Sequence, residues 1–485
     1  MARRLDLHPD PEAVYDRLVA GRPSPFWLDT AAPGSDHRFS YLGAGDGPHA
    51  ELLTADAAAG SVTVRTGDGC TTRPGGLLDT LRQRLAAWAE RLGPAGGPGG
   101  PELPPFRLGY VGYLGYGLAG ECGLRLRHRA DPPDGALLLA DRAVAVDHRR
   151  RVTWLLALSA PGERDRTASD LEETADRLDG CPPAPAGPPR AEAPWRPPDP
   201  FPLPVVLRDP PARYQELVAA CREHIAAGDS YELCLTTALT VPGPVDARAV
   251  YHQLRRVSPA PYAAFLRSGE RSVLCSSPER FLRVHADGRV ETRPIKGTRP
   301  RSAEPADDAR LAAELAASAK DRAENLMIVD LARSDLSRVC APGSVEATRR
   351  FEVESFATVH QLVSTVTGRL AEGRTAVDAV RASFPPASMT GAPKARSVEI
   401  LDRLEGAARG VYSGVLGWFS FTGAADLAVV IRTVVVEADR ATLGVGGAVV
   451  WDSDPAGEWY EALVKAVPGV GALARARGDT AHGRP

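Results

Sequence analysis

At 485 residues the chain is too long for one ordinary hydrophobic core, and length alone asks for two or three domains' worth of structure. Hydrophobic residues make up 44% and charged residues 25%, the balance of a soluble globular protein. The 58 basic and 61 acidic residues nearly cancel to a net charge of -3, so no basic excess points to nucleic acid.

The longest apolar runs, at 135–140 and 429–431, fall far short of a membrane span. The start, Met1-Ala2-Arg3-Arg4-Leu5-Asp6, has no apolar signal core behind it. Cys70, Cys122, Cys181, Cys221, Cys234, Cys275 and Cys340 are scattered without a C-x-x-C pair, unlike a disulfide scaffold or zinc site. The expected compartment is the cytoplasm.

A short helical pattern at 11–20 is followed by strand-like pieces at 26–29 and 38–43. Residues 77–92 alternate apolar and polar positions at helical spacing. The 93–105 stretch is nearly all Gly and Pro and reads as a loop, and 109–116 reads as a glycine-punctuated aromatic strand. A hairpin is expected from 137–145 and 151–158, then a helix at 165–178. Proline-rich 180–211 cannot bury a core and reads as a linker or surface crossing.

Beyond it, 212–227 predicts an amphipathic helix, with Tyr214, Leu217, Val218, Cys221 and Ile225 on one face and Gly228 as its stop. Strands are expected at 231–240, 262–267, 272–276, 281–285 and 290–293, and short turns between them favour an antiparallel sheet. Two helices follow at 307–318 and 321–339, then strands at 411–421, 425–437 and 441–450 and a helix over 455–467. The organisation is therefore a first region 1–180, a linker 181–211, a second region 212–470 and a disordered tail 471–485.

Five features carry possible chemistry. Lys296 sits among arginines in Thr292-Arg293-Pro294-Ile295-Lys296-Gly297-Thr298-Arg299, and neighbouring positive charge makes a lysine easier to deprotonate and more nucleophilic. Glu279 lies one hairpin upstream, near enough through the Asp287-Gly288 turn to protonate a leaving group. Glu324 is mid-helix, while Glu458, Glu461 and Lys465 are spaced by single turns of the last helix; two acidic helices suit Mg²⁺ with an anionic substrate. Ser388-Met389-Thr390-Gly391-Ala392-Pro393-Lys394 turns into a helix whose backbone amides can hold an anion. Arg432 interrupts a β-branched strand, and Gly444-Val445-Gly446-Gly447-Ala448 lets a ligand approach the backbone. Taken singly, the lysine reads first as a basic surface loop, Glu279 as a surface Glu-Arg pair and the glutamates as solvated acidic faces; the turn is a weak signal, and Arg432 points to solvent or to an anionic ligand.

Together they form an ordered set. Ser276-Ser277-Pro278-Glu279-Arg280-Phe281, Pro294-Ile295-Lys296-Gly297-Thr298, the 320–330 and 335–340 segments, Thr390-Gly391-Ala392-Pro393-Lys394 and Asp452-Ser453-Asp454-Pro455 resemble the motifs of the chorismate-utilising enzymes. The resemblance is dense from about 210 to 468 and looser in Phe26-Trp27-Leu28-Asp29 and Phe39-Ser40-Tyr41-Leu42-Gly43. Lys296 stands where the anthranilate synthases of that family carry alanine, and the chain is more similar to component I of the aminodeoxychorismate synthases.

The resemblance implies an α+β chorismate-binding fold, with large antiparallel sheets packed face to face and flanked by helices. It implies that Lys296 attacks C2 of chorismate while the C4 hydroxyl leaves, with Glu279 as general acid and base, and that ammonia then displaces the lysine. It implies Mg²⁺ on Glu324 and Glu461, with Glu458 acting through water. Thr298, Ser388, Thr390, Gly391, Ala392, Tyr412, Arg432, Gly446, Gly447 and Lys465 would line the substrate site.

Two positions depart from the pattern: Gln361 replaces a frequent histidine, with His360 one place earlier and on the other face of a strand, and Ala448 replaces a frequent glycine. The sequence shows no G-x-C-x-G elbow, so the resemblance implies a separate glutamine amidotransferase supplying ammonia. The competing readings are an anthranilate synthase component I and a non-catalytic paralogue that binds only the amidotransferase.

Overall fold

The strand Gly135–Ala140 is buried at every position, which requires cover on both faces. Its alternate residues enter different cores: Leu137 and Leu139 pack with helices, Ala136 and Leu138 against a second sheet. That arrangement repeats through the computed structural model, which describes residues 1–30, 38–92, 103–160, 162–185, 201–356 and 359–478. Two antiparallel sheets of twelve strands each lie face to face. The core between them is rich in aromatics, including Tyr41, Phe106, Tyr113 and Trp418.

Helices cover the outer faces. Pro211–Ala226, Ala247–Val257, Lys394–Glu405 and Pro455–Ala476 pack on the first sheet, and Leu77–Leu92, Ala319–Ser337 and Ala376–Ser383 on the second. The result is the expected α+β sandwich of sheets flanked by helices. Helix Pro211–Ala226 buries Tyr214, Leu217, Val218 and Cys221, the stripe that spacing predicts.

The two sequence regions share both sheets. Strand Phe26–Asp29 pairs with Tyr262–Ser268, and Gly109–Leu114 with Val415–Ser420. The 181–211 stretch thus divides sequence texture, while the strands on either side of it interleave. Of that stretch, 186–200 lies outside the described residues, as do 93–102 of the expected loop.

Two expected single strands are each two strands in different sheets. Residues 137–145 divide at Asp141, with Gly135–Ala140 in the second sheet and Arg142–Asp147 in the first. Asp141 is buried and accepts the His49 amide at 2.8 Å. Residues 425–437 divide likewise into Ala425–Val429 and Thr433–Val436. Arg432 is therefore not in a strand; it sits at φ +51° where the chain crosses between sheets. The last helix runs on to Ala476, beyond the expected end near 467 and into the expected tail, because Val470, Leu473 and Ala474 bury against the core; 479–485 lie outside the described residues. Helices Ala247–Val257 and Ala376–Ser383 and strands Glu346–Ser355 and Val359–Arg369 were not legible from spacing.

Candidate active site

Strand Ile295–Pro300 brings Lys296 to the end of the second sheet, through a bulge whose register shifts between Ile295 and Thr298. Gly297 makes the bulge possible at φ +82°, and a Cβ there would stand 2.8 Å from Cβ of Asp321. Lys296 Nζ donates to Glu232 Oε1 at 2.5 Å across the two sheets. The flanking arginines point to other carboxylates: Arg293 to Glu354, and Arg299 to Asp321 at 3.0 Å and to Glu314 at 3.2 Å. This corrects the expectation that they loosen the lysine's proton. Burial pulls the Lys296 pKa down, but Glu232 outweighs it and the net shift is upward. At rest Lys296 is an ammonium.

Glu279 follows strand Arg271–Ser277 and is only 8% exposed. Burial raises its carboxyl to about 7, against the opposing pull of Ser388 and of the Lys296 charge. An acid with that value exchanges protons near neutrality.

The 387–392 turn is pinned against the strand that carries Glu232. Gly391–Ala392 pairs with Glu232 and Leu233, and the Cys234 amide donates to Thr390 O at 2.8 Å. Arg409, locked to Glu405 at 2.7 Å, donates to Met389 O at 2.6 Å and Cys234 O at 2.8 Å, bracing both sides. Lys394 is committed to internal partners: its Nζ reaches the Asp335 carboxylate at 2.6 Å and the carbonyls of Ser383 and Pro385 at 2.5 and 2.9 Å. Ser388 Oγ is buried without a hydrogen bond of ordinary geometry.

The expected metal carboxylates come from two capped helices. Ser318 accepts the Asp321 amide at 3.2 Å to start the helix of Glu324, and Asp454 accepts the Gly457 amide at 2.7 Å to start that of Glu458 and Glu461. Asn325, buried beside Glu324, is tied to the Val359–Arg369 strand through Leu362 O at 3.3 Å and Ser364 Oγ at 2.5 Å. Burial raises Glu324 and Glu458. Glu461 is lowered, chiefly by Lys465, which lies 2.7 Å away and also donates to Gly446 O at 2.8 Å. Among the described residues no three His, Cys, Asp or Glu side chains gather closely enough to hold a metal. The donor type nonetheless suits a hard cation; the charge of Lys320 acts on all three carboxylates and that of Lys465 on Glu458 and Glu461.

Tyr412 packs its ring over Gly444, where a Cβ would meet Cγ at 2.1 Å. Arg432 lies in the field of Tyr412 and Glu461, and burial lowers its pKa. Gly447 faces the acidic helix, and Thr298, opposite Gln361 in the strand register, is exposed at the rim. His360 bonds Ser355 at 2.8 Å and Asp308 at 3.0 Å, while Gln361 is buried with an unpartnered Oε1. Glu232 was missed in the sequence. Its signal was there: a glutamate in the apolar strand Glu232–Pro242, where a buried charge demands a partner.

The sandwich carries, along glycine-rich backbone, a lysine, an arginine and several carboxylates. The chain belongs to the chorismate-binding enzyme family, whose sequence profile matches residues 23–468. It is 51% identical to a protein named aminodeoxychorismate synthase from Streptomyces pristinaespiralis, over 99% of this chain and 66% of that protein. It is 36% identical to aminodeoxychorismate synthase component 1 of Klebsiella aerogenes, over 95% and 96% of the respective chains. The crystal structure of anthranilate synthase component I from Streptococcus pneumoniae superposes with a TM-score of 0.73 at 27% identity, over 94% of this chain and 96% of that one. The chain thus spans just under two thirds of the length of the Streptomyces relative.

Proposed function

We propose that the chain aminates chorismate at C4, forming 4-amino-4-deoxychorismate through a covalent adduct on Lys296, as component I of an aminodeoxychorismate synthase. One observation carries this reading: a buried lysine and a buried carboxylic acid of pKa about 7 lie within each other's field in a chorismate-binding fold. The lysine is the group that attacks C2. Glu279 is the group that protonates the departing hydroxyl, since it holds a proton at neutral pH without being too weak an acid to give it up. The names of the two relatives point the same way.

Arg432 and the backbone at Gly446 and Gly447 would face the substrate carboxylates, and Thr390, Gly391 and Ala392 would form the opposite wall. Glu324 and Glu461 would hold Mg²⁺, with Glu458 behind them, and the ion would supply positive charge to a carboxylate of the dianion. Lys465 would then be displaced from Glu461 toward the substrate. A glutamine amidotransferase would supply the ammonia. Among the described residues no helix is long and apolar enough to cross a membrane.

The test is incubation of the purified chain with chorismate, Mg²⁺ and ammonium, followed by mass identification of the product. Formation of 4-amino-4-deoxychorismate, lost in Lys296→Ala, is the expected result. Anthranilate with pyruvate would replace this reading with the anthranilate synthase one, and absence of turnover even with an amidotransferase would leave a binding paralogue. Glutamine should replace ammonium only when an amidotransferase is added.

A further inference from the structure

A nucleophilic lysine must lose a proton before it attacks and regain one when it is expelled, so the partner of its Nζ matters as much as the lysine. Among the described residues that partner is Glu232 alone, at 2.5 Å. Three observations define the pair. Glu232 is 0% exposed, and Lys296 has a side chain only 10% exposed, so bulk water is a poor exchanger for either. The second carboxylate oxygen, Oε2, is buried with no hydrogen-bond partner, so among the described residues Lys296 is the donor this carboxylate has. Its backbone is fixed by Ala392 on one edge, and the strand from the next residue, Leu233, onward by Arg440–Val449, which leaves Oε1 aimed across the gap between sheets.

We propose that Glu232 takes the proton from Lys296 before the attack and returns it when the amine departs. This rests on the lysine-nucleophile reading above. In the resting pair Nζ is an ammonium and Glu232 a carboxylate. Substrate covering the pair excludes water, and a dry site narrows the gap between the ion pair and its neutral form. One proton passes from Nζ to Oε1. The freed lone pair forms the bond to C2, the ring double bonds shift, the C4–O bond breaks, and Glu279 supplies the proton with which the hydroxyl leaves as water. The adduct nitrogen carries the positive charge. Ammonia then bonds to C4, the C2–N bond breaks with its electrons returning to Nζ, and Glu232 gives back its proton. The new C4 ammonium restores the proton of Glu279. The sum is chorismate plus ammonia to aminodeoxychorismate plus water.

Other charged groups face Lys296 only through their fields: Cys234 on the strand of Glu232, Glu324 from helix Ala319–Ser337, Glu279 beside the 387–392 turn and Glu461 from the last helix. None is within ion-pair distance of Nζ among the described residues.

Two measurements on the purified chain test this. In the first, Lys296 is acetylated with acetic anhydride from about pH 7 to about pH 12 without substrate, and its peptide is quantified by mass spectrometry. In the native chain the midpoint should lie above the ordinary lysine value of 10.5, and in Glu232→Gln it should fall below it, because burial persists without the counter-charge. This readout needs no turnover, so it stands even if the proposed activity fails. In the second, Glu232→Gln should lower kcat for amination at least about 100-fold and make it rise with pH, with KM for chorismate changed by no more than about threefold. Glu232→Asp, which keeps the carboxylate, should recover part of kcat and serves in both measurements if the Gln variant does not fold. An unchanged acetylation midpoint, or a Gln variant with native kcat, would overturn the assignment.

Discussion

Gly447 and Glu458 are in contact across the site: a Cβ at residue 447 would stand 2.8 Å from Glu458 Oε2. Lys465 Nζ and Glu461 Oε1 lie at 3.7 and 3.8 Å from the same point. The missing side chain is what lets the acidic helix close on the strand Arg440–Val449. Gly447→Ala should push the Glu458 carboxylate off its Ser453 bond of 2.7 Å while leaving the sheet paired. The expected outcome is a native circular dichroism spectrum with Mg²⁺ affinity lowered about 10-fold or more, as when a supporting group at a metal site is disturbed. Unchanged affinity by titration calorimetry would remove Glu458 from the metal's surroundings.

Gly297 has a different job. Its φ of +82° is a conformation in which a Cβ costs about 1–2 kcal/mol, and here the Cβ would also press on Asp321. Gly297→Ala should lower the free energy of unfolding in urea by about 1–3 kcal/mol. It should lower kcat further than that loss explains, because the bulge that aims Lys296 at Glu232 must shift. Native kcat in a destabilised variant would show that the bulge does not set the lysine's position.

Much of this was written locally. The helices of Glu324 and Glu458 begin at Ser318 and Asp454, capping residue types whose side chains accept the amides of Asp321 and Gly457. Some helices were legible from one buried face, as in Pro211–Ala226, while Ala247–Val257 and Ala376–Ser383, which also bury a face, were not. What spacing could not show was where one apolar run changes sheets. At Asp141-Arg142 and at Arg432 only one or two charged residues interrupt an otherwise β-branched or aliphatic run, and both strands need the same residue types. The Lys296 environment was misjudged for a related reason. Neighbours in sequence were taken as neighbours in space, yet in the structure Arg293 and Arg299 meet carboxylates elsewhere, and the controlling charge, Glu232, is 64 residues away in the other sheet. Arg432 was expected on a strand because Val429-Val430-Ile431-Arg432-Thr433 is a β-branched run; the left-handed crossing at Arg432 leaves no mark in that pattern.

Lys394 offers a prediction about architecture. Its ammonium and the Asp335 carboxylate are 2.6 Å apart, with side chains 11% and 10% exposed. Burial lowers the lysine's pKa and raises the aspartate's, so neither is stable as a lone charge. Lys394→Met leaves two carbonyls without a donor and the buried carboxylate with Arg338 alone, 2.7 Å away and partly exposed, so it should destabilise the fold by about 2–4 kcal/mol. Pairing it with Asp335→Leu should recover a large part of that loss, since the buried charge is gone and Arg338, whose side chain is 58% exposed, can turn to water. Calorimetric melting of the three variants measures it. Equal melting temperatures for single and double variants would mean that Asp335 does not depend on Lys394.

The last prediction concerns pH and Glu279. As the acid that protonates the leaving hydroxyl, it must be protonated, and its value of about 7 places the transition within reach of assay. kcat/KM should therefore fall as pH rises through about 7, and Glu279→Gln should abolish that limb together with about 100-fold or more of the rate. The same shift acts on stability. The folded value of about 7 lies above the ordinary 4.5, so folding binds the proton more tightly. Its contribution is full below pH 4.5, declines as pH rises from there to about 7, and is level above that. At about 1.4 kcal/mol per unit, the decline amounts to roughly 3 kcal/mol. Urea unfolding of native chain and Glu279→Gln at a series of pH values isolates it, because the glutamine cannot titrate and the difference between the two curves should shrink or grow only across that window. A difference independent of pH from 4.5 to about 7 would mean that Glu279 is not held protonated by its burial, and that the proton for the leaving hydroxyl comes from another group.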